Sequence, residues 1–243
     1  MDALATAAEG SSGVAERIDC AALSTREINR ALRRAAADGV PSVTLLNPQG
    51  RHNLAVGLVD PLNIEVEGSA GYFLGGMMDG PRIRVRGNCG WSVGETILSG
   101  EIVVEGQGGN SAGASMRGGS VVIRGDAGAR AGIAMKGGLL LIGGHVGYMS
   151  GFMMQKGTMI VCGDAGPAIG DSMYDGRIFV AGRIEQPGTD AVVEDPTVEE
   201  LRWLDETLLR YRFPVAGSFK KIVSGRRLWN FSKKEIGVWI EAF

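Results

Sequence analysis

Ile83-Arg84-Val85-Arg86-Gly87-Asn88-Cys89-Gly90-Trp91-Ser92-Val93-Gly94 is followed, nineteen residues on, by Ile102-Val103-Val104-Glu105-Gly106-Gln107-Gly108-Gly109-Asn110-Ser111-Ala112-Gly113. In both, alternate apolar residues lead into a glycine, and further glycines follow three and seven residues later. The closing glycine recurs as Gly68, Gly87, Gly106, Gly125, Gly144, Gly163 and Gly182, seven copies at a constant interval of 19. Two residues before it stand Val66, Val85, Val104, Ile123, Ile142, Val161 and Val180, and four before it Ile64, Ile83, Ile102, Val121, Leu140, Met159 and Ile178. Helical repeats need about 33 residues or more, and glycine at this density would cost a helix about 1 kcal/mol per position relative to alanine. A period-two strand followed by glycine-punctuated corners describes one coil of a stacked structure. The fold class is therefore all-β: a right-handed parallel β-helix of about seven 19-residue coils. At about 4.8 Å per coil the prism is roughly 34 Å long.

Two further rows follow from the register. Ten residues past the closing glycine come Met78, Ile97, Met116, Met135, Met154 and Met173. At this spacing they form an interior stack, flexible thioethers filling a narrow prism, rather than a metal or cofactor site. Three residues before the closing glycine, on the outward side, come Glu65, Arg84, Val103, Val122, Leu141, Ile160 and Phe179. The last five make an apolar column that a monomer rarely leaves wet. Either the chain's own carboxyl-terminal segment covers it or a partner does. In the second case Val103, Val122, Leu141, Ile160 and Phe179 are the candidate subunit interface.

Composition agrees with a repeat fold. Glycine is 39 of 243 residues, about twice its usual share. The formal net charge of −2 gives no global field for nucleic acid or an anionic membrane. No apolar run approaches the ~18 residues of a membrane span, and the amino end, Met1-Asp2-Ala3-Leu4-Ala5, lacks the pattern of a secretory signal. Cys20, Cys89 and Cys162 lie far apart, as free thiols in a reducing cytoplasm do.

The ends differ from the repeat. Residues 1–17 read as a flexible tail. Ser24-Thr25-Arg26-Glu27 is a capping-box match, opening a helix through about Ala37 that caps the first coils. Val43-Thr44-Leu45-Leu46 then leads into the prism, out of the 19-residue register. After about residue 185 a third segment begins. Asp195-Pro196 reads as a helix start, with helix from Thr197 to about Tyr211. Eight acidic residues between Glu185 and Glu206 precede eight basic ones between Arg210 and Lys234. Trp229, Phe231 and Trp239 are interleaved with the latter, a pattern open to a nucleic-acid arm. The adjoining acidic block cancels the charge locally, which favours an extension packed on the prism or a partner.

Chemistry-bearing motifs are few. There is no GxxxxGK[ST], and a corner glycine repeated seven times is structural rather than a phosphate loop. His52 and His145 are the only histidines, roughly five coils apart by register and without a nearby cysteine. Asp126, Asp164, Asp171 and Asp175 sit near corners, where aspartate commonly forms turns. Neither a catalytic nor a cofactor nor a metal residue is assigned to this chain, and the reading is of a scaffold.

The pattern G-x-x-G-x-x-x-G at a period of 19, as in Gly87 to Gly94, resembles the GXGXG domain of the glutamate synthase large subunit, over about residues 18–185. The same unit occurs in the C subunit of formylmethanofuran dehydrogenase. Ser24-Thr25-Arg26-Glu27-Ile28-Asn29 and Asn47-Pro48-Gln49-Gly50-Arg51-His52-Asn53-Leu54-Ala55-Val56-Gly57 look like the stand-alone form, the middle subunit of N-methylglutamate synthase. Met149-Ser150-Gly151-Phe152-Met153, Val161-Cys162-Gly163-Asp164-Ala165-Gly166 and Ile169-Gly170-Asp171-Ser172 are similar to it too. The resemblance implies a non-catalytic subunit bracing two partners and helping enclose a path for ammonia or methylamine. One partner is like a class II glutamine amidotransferase; the other is like the FMN- and iron–sulfur-bearing synthase domain. The overall reaction would convert methylamine and glutamate to N-methylglutamate and ammonia. The alternatives are a scaffold subunit of formylmethanofuran dehydrogenase or formyltransferase/hydrolase, and an isolated structural β-helix.

Overall fold

The computed structural model describes residues 15–214 and 218–226. In chain order the elements are β1 (Glu16–Asp19), a 3-10 turn (Cys20–Ala22), α1 (Thr25–Ala37), β2 (Ser42–Leu46), β3 (Asn63–Val66), β4 (Arg82–Val85), β5 (Glu101–Val104), β6 (Ser120–Ile123), β7 (Lys136–Ile142), β8 (Lys156–Val161), β9 (Arg177–Val180), β10 (Ala191–Glu194), α2 (Val198–Arg210) and β11 (Lys220–Ser224). They form one eleven-stranded sheet in the order β1 through β9, then β11, then β10. From β1 to β9 each strand pairs in parallel with the next.

The repeat sets the register. Ile64, Ile83, Ile102, Val121, Leu140, Met159 and Ile178 are successive partners on neighbouring strands. A second ribbon of parallel bridges runs through Ala70, Cys89, Gly108, Ala127, Val146, Ala165 and Ile184. The structure is thus a parallel β-helix. Its interior holds the methionine row: Met78, Ile97, Met116, Met135, Met154 and Met173 are all fully buried. β2 enters out of step, pairing Val43 with Ile64.

Two kinds of glycine serve the corners, for different reasons. The closing row is there for close approach: a Cβ on Gly163 would lie 2.7 Å from the backbone of Gly144 in the coil below. The row seven residues later meets the positive-φ requirement, as at Gly113 (φ +65°). Flanking that row, non-glycine residues also take the left-handed conformation, among them Ser92, Ser111 and Arg130 on one side and Thr96, Ser115 and Ala134 on the other. Glycine therefore supplies some of the positive-φ corner positions, and serine, threonine, alanine and arginine supply others. Around that row three positions per coil are left-handed and only the middle one is glycine, while a second glycine row, Gly80, Gly100, Gly119, Gly138, Gly157 and Gly176, also takes positive φ.

Side chains bind the coils along one exposed edge. Asn88 accepts the N–H of Gln107 at 2.8 Å, Asp126 that of His145 at 2.7 Å, His145 Nδ1 that of Asp164 at 2.8 Å, and Asp164 that of Arg183 at 2.7 Å. His52 Nδ1 likewise accepts the Tyr72 N–H at 2.9 Å. Corner N–H groups without ladder partners are satisfied in this way.

Both ends are closed by segments outside the repeat. The α1 capping box is formed between Ser24 and Glu27, and Ile28, Leu32 and Ala35 are buried. Asn29 ties the helix to the first coil, donating to the Asn53 carbonyl and accepting the Ala55 N–H. β1 takes in Glu16 and Arg17, within the stretch expected as a tail. At the other end β11 runs antiparallel to β9, and β10 antiparallel to β11, so the sheet continues past residue 185. The α2 cap is Thr197, not Asp195. Thr197 and Glu200 complete a capping box, a threonine–x–x–glutamate signal stronger than Asp-Pro alone.

Candidate functional site: an arginine groove beside a covered strand row

The outward face of the sheet carries two columns. One runs Asn63, Arg82, Glu101, Ser120, Leu139, Thr158, Arg177; the other runs Glu65, Arg84, Val103, Val122, Leu141, Ile160, Phe179. The face is divided in two. Over β6–β9, Val122, Leu141, Ile160 and Phe179 are fully buried in a cluster with Leu204 and Leu208 of α2 and with Phe213 and Phe219. The chain's own carboxyl-terminal segment is the cover. The candidate subunit interface is corrected accordingly: four of its five residues lie beneath α2. Burying four large apolar side chains stabilises by roughly 1.5–3 kcal/mol each, which gives α2 a cause to lie there. Val103 alone is only partly covered.

Beyond Val103 the face is polar, and no described segment covers it. Arg82, Arg84, Glu101 and Val103, together with Arg124, Arg210, Tyr211 and Arg212, line a hollow of about 370 Å³. It continues into a second hollow of about 430 Å³ reaching Thr44 and Glu65. Tyr211 donates to Glu101 at 2.9 Å. Burial, reinforced by the Glu101 carboxylate, pushes its hydroxyl above the ordinary range, so it remains a donor. Arg84 and Arg124 share Glu105, Arg124 through a 2.9 Å contact, and Arg124 also lies over the Phe213 ring at 4.9 Å. Arg82, Arg210 and Arg212 form no ion pair with any described residue. The groove therefore carries a net positive field, and its planar guanidinium forks suit carboxylates.

Sequence reading missed this groove. Its signal was the change of character along the outward column, from Glu65 and Arg84 to Val103. What the periodicity does not carry is where α2 ends, and so which arginines stand beside Val103.

The basic block behind α2 is partly neutralised by the acidic one. Lys220 pairs with Asp195 at 2.6 Å, and Lys221 with Glu194 at 2.8 Å and Glu200 at 3.0 Å. Arg227, Trp229, Phe231, Lys233, Lys234 and Trp239 lie outside the described residues. On another corner, His52, Tyr72 and Trp91 stack with centroid spacings of 4.4 and 5.4 Å. Tyr72 and Trp91 remain 43% and 53% exposed. Among the described residues no three His, Cys, Asp or Glu side chains converge as metal ligands, and no helix is long and apolar enough to cross a membrane.

The GXGXG motif family matches residues 47–207, about two thirds of the chain. The chain belongs to the GXGXG-motif family. Among solved structures, this GXGXG chain is similar to a chain of the formyltransferase/hydrolase complex (FhcABCD) from Methylorubrum extorquens, solved in complex with methylofuran. The likeness covers 83% of this chain and 86% of that one, at 23% identity and a TM-score of 0.65. No curated protein sequence matches the GXGXG chain.

Proposed function

We propose that this GXGXG chain is a structural subunit of a multi-subunit enzyme complex of the formyltransferase/hydrolase kind, and that it braces partners which carry the chemistry. The supporting observation is the extent of the structural likeness, which spans nearly the whole of both chains rather than the repeats alone. The coil-to-coil use of both histidines fits a brace: each holds its Nδ1 on a backbone N–H of the next coil. This reading favours the alternative drawn from the sequence over the methylamine–glutamate reaction, which no comparison carries.

A second reading keeps the glutamate-synthase-like complex, with its amidotransferase-like and FMN- and iron–sulfur-bearing partners. The strings Ser24–Asn29 and Asn47–Gly57 favour it. The two readings separate on the partners. A tagged chain isolated from its native host should carry its complex with it. Formyl transfer between one-carbon carriers by that complex supports the first reading. Flavin and iron–sulfur absorption, with methylamine-dependent N-methylglutamate formation, would replace it with the second.

A further inference from the structure

The sheet face already contains one example of how it holds an acidic segment. Arg177 stands at the β9 end of the same outward column as Arg82. Its guanidinium lies 3.6 Å from Glu200 and over the rings of Trp203 and Phe179, at 5.1 and 5.7 Å. The segment above it, α2, opens with Glu199 and Glu200 and lays Leu204 and Leu208 on the strands. An arginine from the sheet, a carboxylate from the first turn of a helix and an apolar contact beside them make up the arrangement.

The β4–β5 half presents the same elements without the helix. Arg82 and Arg84 stand two residues apart on the outer face of β4, and Val103 on β5 gives an apolar footing next to them. Arg210 and Arg212 border the hollow at the end of α2. Of the five arginines there, Arg84 and Arg124 are held by Glu105, while Arg82, Arg210 and Arg212 form no ion pair with any described residue. Part of the charge on Arg210 answers the negative end of the α2 dipole; Arg82, on β4, has no such role.

We propose that the open half of this face is a docking groove for an acidic amphipathic segment of a partner subunit, its carboxylates on Arg82 and Arg212 and an apolar residue on Val103. The inference rests on the scaffold reading in requiring a partner. Charge complementarity selects the occupant: the face takes an acidic helix at Arg177, and the open hollow is lined by five arginines against one carboxylate, Glu101. A carboxylate entering here meets forks able to bind it through two parallel N–H···O contacts.

Two measurements test it on the full chain. In the first, a fluorescein-labelled helical Glu/Ala/Leu peptide is titrated at low ionic strength, with its Gln/Ala/Leu counterpart as control. The acidic peptide binds, salt weakens it, and the neutral one does not bind. Arg82→Glu with Arg212→Glu weakens binding by about tenfold or more, while Arg26→Glu with Arg30→Glu on α1 leaves it unchanged. Absence of binding, or equal binding to the Arg82/Arg212 variant, overturns the proposal. So does tighter binding of a single-stranded oligonucleotide through the same arginines. In the second, wild-type and Arg82→Glu/Arg212→Glu chains are tagged in the native host, with circular dichroism confirming that both fold. Loss of a partner from the variant alone supports the groove. Equal partner recovery overturns the groove and leaves the scaffold reading standing. If wild type recovers no partner, the scaffold reading fails and the peptide titration alone decides the groove.

Discussion

Lys221 Nζ lies 3.0 Å from Glu200 Oε2, and the two side chains are only 11% and 15% exposed. Glu200 is also the glutamate of the α2 capping box and the partner of Arg177. One carboxylate thus joins the first turn of α2 to β11 and to the outer face of β9.

This junction has a pH signature. Burial pushes the Glu200 carboxyl up, but the Thr197 N–H, Lys221 and Arg177 together hold it below its ordinary value of 4.5. Its contribution is present above pH 4.5 and is lost as pH falls through the lower folded value. Lys221 is raised, first by Glu194 and then, against burial, by Glu200. Its contribution holds below its ordinary value of 10.5 and is lost as pH rises through the folded value. Glu200→Gln keeps a capping side chain and removes the charge. It should lower stability by about 2 kcal/mol at neutral pH, with the gap from wild type narrowing towards pH 3. Urea denaturation at several pH values measures this, and a gap that does not narrow contradicts it.

Leu208→Ala should cost about 2–5 kcal/mol, because Leu208 is fully buried against the row from Val122 to Phe179. Dye binding at exposed apolar surface should rise in the variant. Val122→Asp with Leu141→Asp should abolish folding rather than merely release a partner. A folded double variant of normal stability would show that the row is not covered as described.

Thr96 is β-branched and holds φ +57°, a conformation that costs an L-residue roughly 1–2 kcal/mol. Thr96→Gly should therefore leave stability unchanged or raise it by up to about 1 kcal/mol, despite the entropy glycine adds to the unfolded chain. Gly163→Ala should do the opposite, since its Cβ would press on the backbone of Gly144. Melting temperatures that shift in the same direction for both would contradict the assignment of two kinds of corner.

The thiols should be inert in the folded chain. Burial pushes Cys89 up to about 12 and Cys162 to about 11, and raises Cys20 as well. At pH 8 about one Cys162 in a thousand is thiolate. Ellman's reagent at that pH should label none of the three until denaturant is added, and rapid labelling of native protein would count against the packing.

How much of this is legible in the sequence depends on periodicity. The strands, the interior methionines and the register come directly from the 19-residue rows, because each coil repeats the same contacts. The α1 cap is legible because Ser24 to Glu27 is a local signal. The fate of Val122, Leu141, Ile160 and Phe179 is not. Their pattern states that something apolar covers them, but a helix starting nineteen residues after Phe179 and a partner subunit satisfy it equally. The α2 span is legible to within a residue, but its cap is not, because Asp195-Pro196 and the Thr197–Glu200 box are competing local start signals two residues apart. The groove was missed because Arg82 and Arg84 look like ordinary solvent-facing strand residues until α2 is seen to stop at Tyr211.

Native mass spectrometry of the tagged chain, isolated from its native host, tests the central claim most directly. The account predicts a defined hetero-oligomer in which this chain is joined to other subunits, with enzymatic activity in the assembly. Recovery of the chain alone, or only with copies of itself, would contradict it.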